Sequence, residues 1–67
     1  MRLEHAVLAE NGVTYEIALK RSREGYAVWV PELPGANSQG ATVAEAVENI
    51  RDAIREVLAV RQLGWKP

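Results

Sequence analysis

No cysteine occurs among the 67 residues. That excludes disulfide bonds and any zinc site built on thiolates, and a reducing cytoplasm is the expected setting. Long apolar runs are missing too. The longest is far too short to cross a bilayer, and no signal-peptide pattern follows Met1, so no membrane association is expected. Charge of one sign is also absent: eight basic residues against nine acidic ones leave a formal net charge of −1. Without a broad basic field, direct binding to nucleic acid by electrostatics is disfavoured. Histidine is reduced to His5. No glycine-rich phosphate loop, metal-ligand spacing or nucleophile elbow occurs. Enzymatic activity, a metal and a cofactor are therefore not expected. Repeats, low-complexity segments and linkers are absent as well, so residues 1–67 are expected to form one domain.

What is present is an ordinary globular composition, 48% hydrophobic and 25% charged. A chain this small buries only about 60% of the surface its unfolded form exposes. Such a core is marginal by itself, so a homodimer or larger assembly is expected, burying either a sheet face or a free sheet edge.

Residues 13–20, VTYEIALK, alternate cleanly, with Val13, Tyr15, Ile17 and Leu19 on one side and Thr14, Glu16, Ala18 and Lys20 on the other. This predicts a strand with one buried face. RSREG interrupts the alternation and YAVWV resumes it, so an antiparallel hairpin with a loop of about five residues is expected. Pro31 stops the second strand, and Pro34-Gly35 reads as a turn with φ > 0 at Gly35. Residues 36–41, ANSQGA, suit a brief edge strand.

From Thr42 to Leu63 a helix is predicted. Thr42 and Glu45 form a capping box, in which the carboxylate reaches back to the cap amide. Val43, Ala46, Val47, Ile50, Ile54, Val57 and Leu58 make one apolar stripe, and Gly64 is placed to cap the end. Glu45, Glu48, Asn49, Arg51, Asp52, Arg55 and Glu56 line the opposite, solvated face. The first eleven residues read two ways. Asn11-Gly12 is a hairpin signal that would make residues 2–9 a strand. RLEHAVLAE is nevertheless rich in helix formers, with Leu3, Ala6 and Val7 at helical spacing, and helix is placed ahead of strand. The fold class is therefore α+β: an antiparallel sheet of three strands, or four, with one long amphipathic helix on one face.

The segment GYAVWVPELPGANSQGATVAEAVENIRDAIREVL resembles the core of the HicB antitoxin family. It has a glycine-aromatic strand, Pro-acidic-apolar-Pro-Gly, a polar strand ending Gly-x-Thr, and an amphipathic helix. Gly25, Tyr26, Pro31, Glu32, Pro34, Gly35, Gly40, Thr42, Glu45 and Ala46 carry the match, which runs from Val13 to Leu58. Family members often carry cysteine after the Pro-Gly, where this chain has Ala36. Many also continue into a helix-turn-helix or ribbon-helix-helix operator-binding domain, a pattern these residues do not contain. The resemblance implies a reduced ribonuclease-H-like layout and a partner, a small basic HicA-like mRNA-cleaving toxin that the domain silences.

Each candidate site has a plainer reading beside it. For His5, without a second ligand or nucleophile, a surface or N-terminal packing role outweighs catalysis. Glu45, Glu48, Asp52 and Glu56 read as a solvated helix face rather than an acid/base pair, which would need a pocket to shift its titration. KRSR at residues 20–23 places three positive charges in a hairpin loop without interleaved aromatic residues, so an RNA contact is disfavoured. PELPG lies inside a strand-turn-strand segment and reads poorly as a polyproline ligand. Trp29, on the face away from the helix, is either a dimer or partner surface or is covered by the N-terminal segment. Trp29, Glu32 and Asn37 are the expected partner-binding residues. The function expected is a non-catalytic protein-binding module of antitoxin type. Its alternatives are a small RNA-binding or RNA-processing domain and a structural oligomer subunit.

Overall fold

The computed structural model describes residues 3–62. Four strands and one helix follow in chain order: β1 (Leu3–Glu10), β2 (Val13–Ser22), β3 (Gly25–Trp29), β4 (Asn37–Gly40) and α1 (Val43–Gln62). The strands form one antiparallel sheet in the order β1-β2-β3-β4, so each strand pairs only with its neighbours in sequence. The α+β class is as expected, and the sheet has the fourth strand. The Gly64 cap lies outside the described residues.

Residues 3–10 form a strand, not the helix placed first. Asn11 (φ 53°) and Gly12 (φ 79°) both take the left-handed region that a type I′ hairpin turn requires. That turn sets Glu10 opposite Val13, and β1 then pairs with β2 through Leu3–Lys20. Eight cross-strand pairs outweigh a helix preference of a few tenths of a kcal/mol per residue. Leu3 and Val7 fall on one face of the sheet and Ala6 on the other, so the helical spacing carried no meaning.

The second hairpin is tighter than expected. Ser22 pairs with Gly25, leaving only Arg23 and Glu24 in the loop. Ser22 Oγ accepts the Glu24 N–H at 3.3 Å, and Gly25 takes φ 126° after the turn. Lys20 and Arg21 therefore belong to β2 rather than to a loop.

Two successive turns join β3 to β4. Leu33 N–H donates to Val30 C=O at 3.1 Å, and Ala36 N–H donates to Leu33 C=O at 3.0 Å. The second turn holds Pro34 and Gly35 centrally, with Gly35 at φ 93° as the Pro-Gly reading requires. Val30 N–H, donating to Ala36 C=O at 3.0 Å, closes the loop at its base.

The helix begins on its cap. Glu45 N–H donates to Thr42 Oγ1 at 3.1 Å, and Ala46 N–H donates to Thr42 C=O at 2.9 Å. The return arm differs from the expected capping box, because Glu45 Oε1 accepts the Ala41 N–H at 2.7 Å, one residue before the cap. Thr42→Ala should cost about 1 kcal/mol in urea unfolding, and no loss would show that Glu45 alone holds the helix start.

The core lies between α1 and one face of the sheet. Leu8, Ile17, Leu19, Val28 and Val30 supply the sheet side, Ala46, Ile50 and Ile54 the helix side, and Leu33 and Ala36 the loop plug. Val43, expected in the apolar stripe, is exposed at the helix start. Among the described residues, no helix is long and apolar enough to cross a membrane.

Candidate functional site

Strand alternation divides the sheet into two chemically different faces. Ile17, Leu19 and Val28 point to the helix. The other face carries Leu3, His5, Val7 and Ala9 from β1, Glu16, Ala18 and Lys20 from β2, Ala27 and Trp29 from β3, and Asn37 and Gln39 from β4. No described helix or loop covers this face. Val7 is 72% exposed on it and Leu3 56%.

One row crosses this open face in register: His5 opposite Ala18, Ala18 opposite Trp29, and Trp29 opposite Asn37. Ala18 is buried, with His5 and Trp29 as its cross-strand neighbours on this face. Trp29 is half-buried and Asn37 is exposed. The N-terminal segment does not fold over Trp29, since residues 3–10 lie in the plane of the sheet beyond β2. Residues 3–10 therefore leave Trp29 uncovered on this face.

The three sequence-predicted partner residues are thus placed as follows. Trp29 and Asn37 face each other across the β3–β4 ladder. Glu32 is exposed in the loop that joins those strands, between Pro31 and the buried Leu33. A shallow open concavity of about 600 Å³ runs along this end, with Trp29, Pro31, Pro34 and Asn37 in its lining. His5 is exposed on the open face. Glu45, Glu48, Asp52 and Glu56 are exposed on the helix and form no cluster of metal-ligand type among the described residues.

Sequence reasoning missed Glu10. Its side chain, 10% exposed, lies on the helix side of the sheet and receives two guanidinium groups. Arg55 Nε donates to Oε2 at 2.7 Å, and Arg51 Nη1 donates to Oε1 at 3.2 Å. Arg51 Nη1 also reaches the Ala9 carbonyl at 3.3 Å. The signal was available: two arginines four residues apart share one side of a helix and converge on one carboxylate. This cluster ties α1 to the β1–β2 turn rather than forming a site. The Arg55 hydrogen bond, with the Arg55 and Arg51 charges, holds the Glu10 carboxyl below its ordinary 4.5 against the opposing effect of desolvation. A carboxyl lowered in the folded state stabilises above the unfolded value and loses that contribution as pH falls through the folded one. Urea midpoints should therefore drop below about pH 4.5, and Glu10→Gln should flatten that part of the profile. An unchanged slope would remove Glu10 as the titrating group.

The part of the open face built by β2, β3 and β4, with its loop, lies where the chain matches a known family. A family model described as the HicB-like antitoxin of bacterial toxin-antitoxin systems matches residues 15–62. The chain is 46% identical over 37 residues to a UPF0150 protein of Synechocystis, covering 55% of this chain and 51% of that one. It is 45% identical over 42 residues to a UPF0150 protein of Thermoplasma acidophilum, covering 61% of each. An uncharacterized 14.9 kDa protein of Haemophilus phage HP1 is 42% identical over 40 residues, 60% of this chain and 30% of the phage protein. The chain thus spans between 30% and 61% of the length of these relatives. No solved structure matches it. The family match takes in most of β2, then β3, the double turn, β4 and all of α1, the elements whose spacing carries the resemblance, and on that ground the chain belongs to the HicB-like antitoxin family of bacterial toxin-antitoxin systems.

Proposed function

We propose that this chain is a non-catalytic antitoxin module that binds a small, basic, HicA-like mRNA-cleaving toxin through the open face of its sheet. The uncovered face with Trp29 opposite Asn37 carries the reading, in a chain whose family is that of antitoxins. An indole that is half-buried by its own sheet presents a large, stiff apolar surface with one polar handle, the type of residue that anchors protein interfaces. Glu32 extends the surface into the loop, where its charge would steer a basic partner. A protein that grips RNA concentrates lysine and arginine, and this chain's net charge of −1 suits it to such a partner better than to RNA itself. The same reading includes a cytoplasmic setting and self-association.

The test is co-expression and direct binding with a HicA-like toxin encoded beside this chain. Growth arrest by the toxin alone, relieved by this chain, is the expected result. Trp29→Ala should weaken the complex about 30-fold or more, the loss typical of a central aromatic anchor. Glu32→Lys should slow association, most strongly at low salt. No binding by the folded chain would overturn the antitoxin role. Full binding by the Trp29→Ala chain would move the contact off the open face.

A further inference from the structure

We propose that two copies of this chain join edge to edge through β1, antiparallel about a twofold axis at Ala6, to form one continuous eight-stranded sheet. This specifies the self-association included above and does not depend on the toxin.

The argument starts from the first turn. In a two-residue type I′ hairpin the closing pair exchanges both backbone hydrogen bonds, and bonded and non-bonded pairs then alternate along the ladder. Glu10–Val13 is the closing pair, so Leu8–Tyr15, Ala6–Ile17 and Glu4–Leu19 are bonded too. The N–H and C=O groups of Leu3, His5, Val7 and Ala9 consequently point outward, away from β2. Arg51 confirms the direction by reaching the Ala9 carbonyl from outside the ladder. Nothing among the described residues pairs with the outward groups of Leu3, His5 and Val7.

Exposed edges are usually blunted by lysine, proline, a bulge or shortness. β1 has none of these: it is eight residues long, pairs without a bulge and contains neither lysine nor proline. The opposite edge, β4, is only four residues long.

The occupant follows from self-complementarity. Antiparallel pairing requires outward-facing residues to meet outward-facing residues, which allows twofold axes at His5, Ala6 or Val7. An axis at His5 sets the two histidines opposite each other. An axis at Val7 sets Glu4 opposite the second copy's Glu10, a like-charge pair. An axis at Ala6 avoids both. It pairs His5 with Val7 and Leu3 with Ala9 of the second copy, and Glu4 with Leu8. Ala6 and Glu4 are exposed on the helix side, so α1 leaves the axis clear. Both helices would lie on one side and both open faces on the other. Five inter-strand spacings would separate the two β3 strands, placing the two Trp29 side chains roughly 24 Å apart at about 4.8 Å per spacing.

The lack of native cysteine makes the axis readable. Single variants Ala6→Cys, His5→Cys and Val7→Cys are oxidised mildly, and sedimentation of the unmodified chain is measured in the micromolar range. A non-bonded antiparallel pair brings Cα atoms to about 4.5 Å, within disulfide reach. Ala6→Cys should give covalent dimer about tenfold faster than either neighbour. The unmodified chain should sediment at twice the monomer mass, and Val7→Lys at the monomer mass with its circular dichroism unchanged. Faster cross-linking by His5→Cys or Val7→Cys would overturn the axis. A monomeric unmodified chain, or a Val7→Lys chain that remains dimeric, would overturn the edge. Ala6→Lys, on the helix side at the axis and clear of the open face, should also be monomeric, and its toxin binding reads the antitoxin role separately.

Discussion

Gly40→Ala should remove about 3 kcal/mol of stability or more, although it adds a single methyl group at an ordinary strand position. A Cβ at Gly40 would overlap the Ala46 backbone nitrogen and lie 2.8 Å from Ala46 Cα and from the Glu45 carbonyl carbon. These are main-chain atoms of the first turn of α1, so no side-chain rotation relieves the clash. The strand would have to leave the helix start, and with it would go the Glu45–Ala41 and Thr42–Glu45 hydrogen bonds. Gly25 backs onto the same spot, since a Cβ there would stand 2.5 Å from the Gly40 carbonyl oxygen. For a domain whose whole stability is of order 5–15 kcal/mol, such a loss is a large fraction. Urea unfolding of Gly40→Ala within about 0.5 kcal/mol of the unmodified chain would show that the strand and helix separate easily here.

Ile50→Ala should cost about 2–5 kcal/mol. Ile50 has no exposed surface and meets the sheet at the middle of the helix, so truncation leaves a void that close-packed neighbours cannot fill. Alanine is the better helix former, so the loss would be due to packing alone. Val60, 41% exposed near the end of the same helix, supplies the contrast: Val60→Ala should change stability by less than about 0.5 kcal/mol. Equal losses at the two positions would contradict the placement of the core.

The elements most legible in the sequence are those whose local chemistry and tertiary fate agree. Thr42 and Glu45 announce the start of α1, and Pro34-Gly35 fits a turn that only a left-handed second residue completes. β1 was misread because its composition favours helix, and what overrides composition is a ladder of eight pairs to β2 fixed by Asn11-Gly12. The β2–β3 loop was misread because Lys20, Arg21 and Ser22 look like loop residues yet remain in the ladder up to the Ser22–Gly25 pair. Trp29 could be assigned to the face away from the helix by alternation alone. Whether the N-terminal segment covered it could not, because that depends on whether β1 joins the sheet plane or crosses it. Glu10 escaped notice for the same reason: a carboxylate becomes a helix anchor only once β1 is a strand.

The pairing of strands in chain order also bears on the route to the native state. Two loops of two residues and one running from Val30 to Ala36 close the entire sheet, so every ladder forms between neighbours and contact order stays low. Such a chain is expected to fold quickly, with hairpins zipping before the helix docks. The Glu10 ion pairs run against this pattern, spanning 41 and 45 residues to Arg51 and Arg55. These contacts are expected to form late, after the hairpins, because they wait on the docking of the helix. Removing the Glu10 carboxylate should therefore leave the folding rate nearly unchanged and speed unfolding, so that this carboxylate governs how long the native state lasts rather than how soon it is reached.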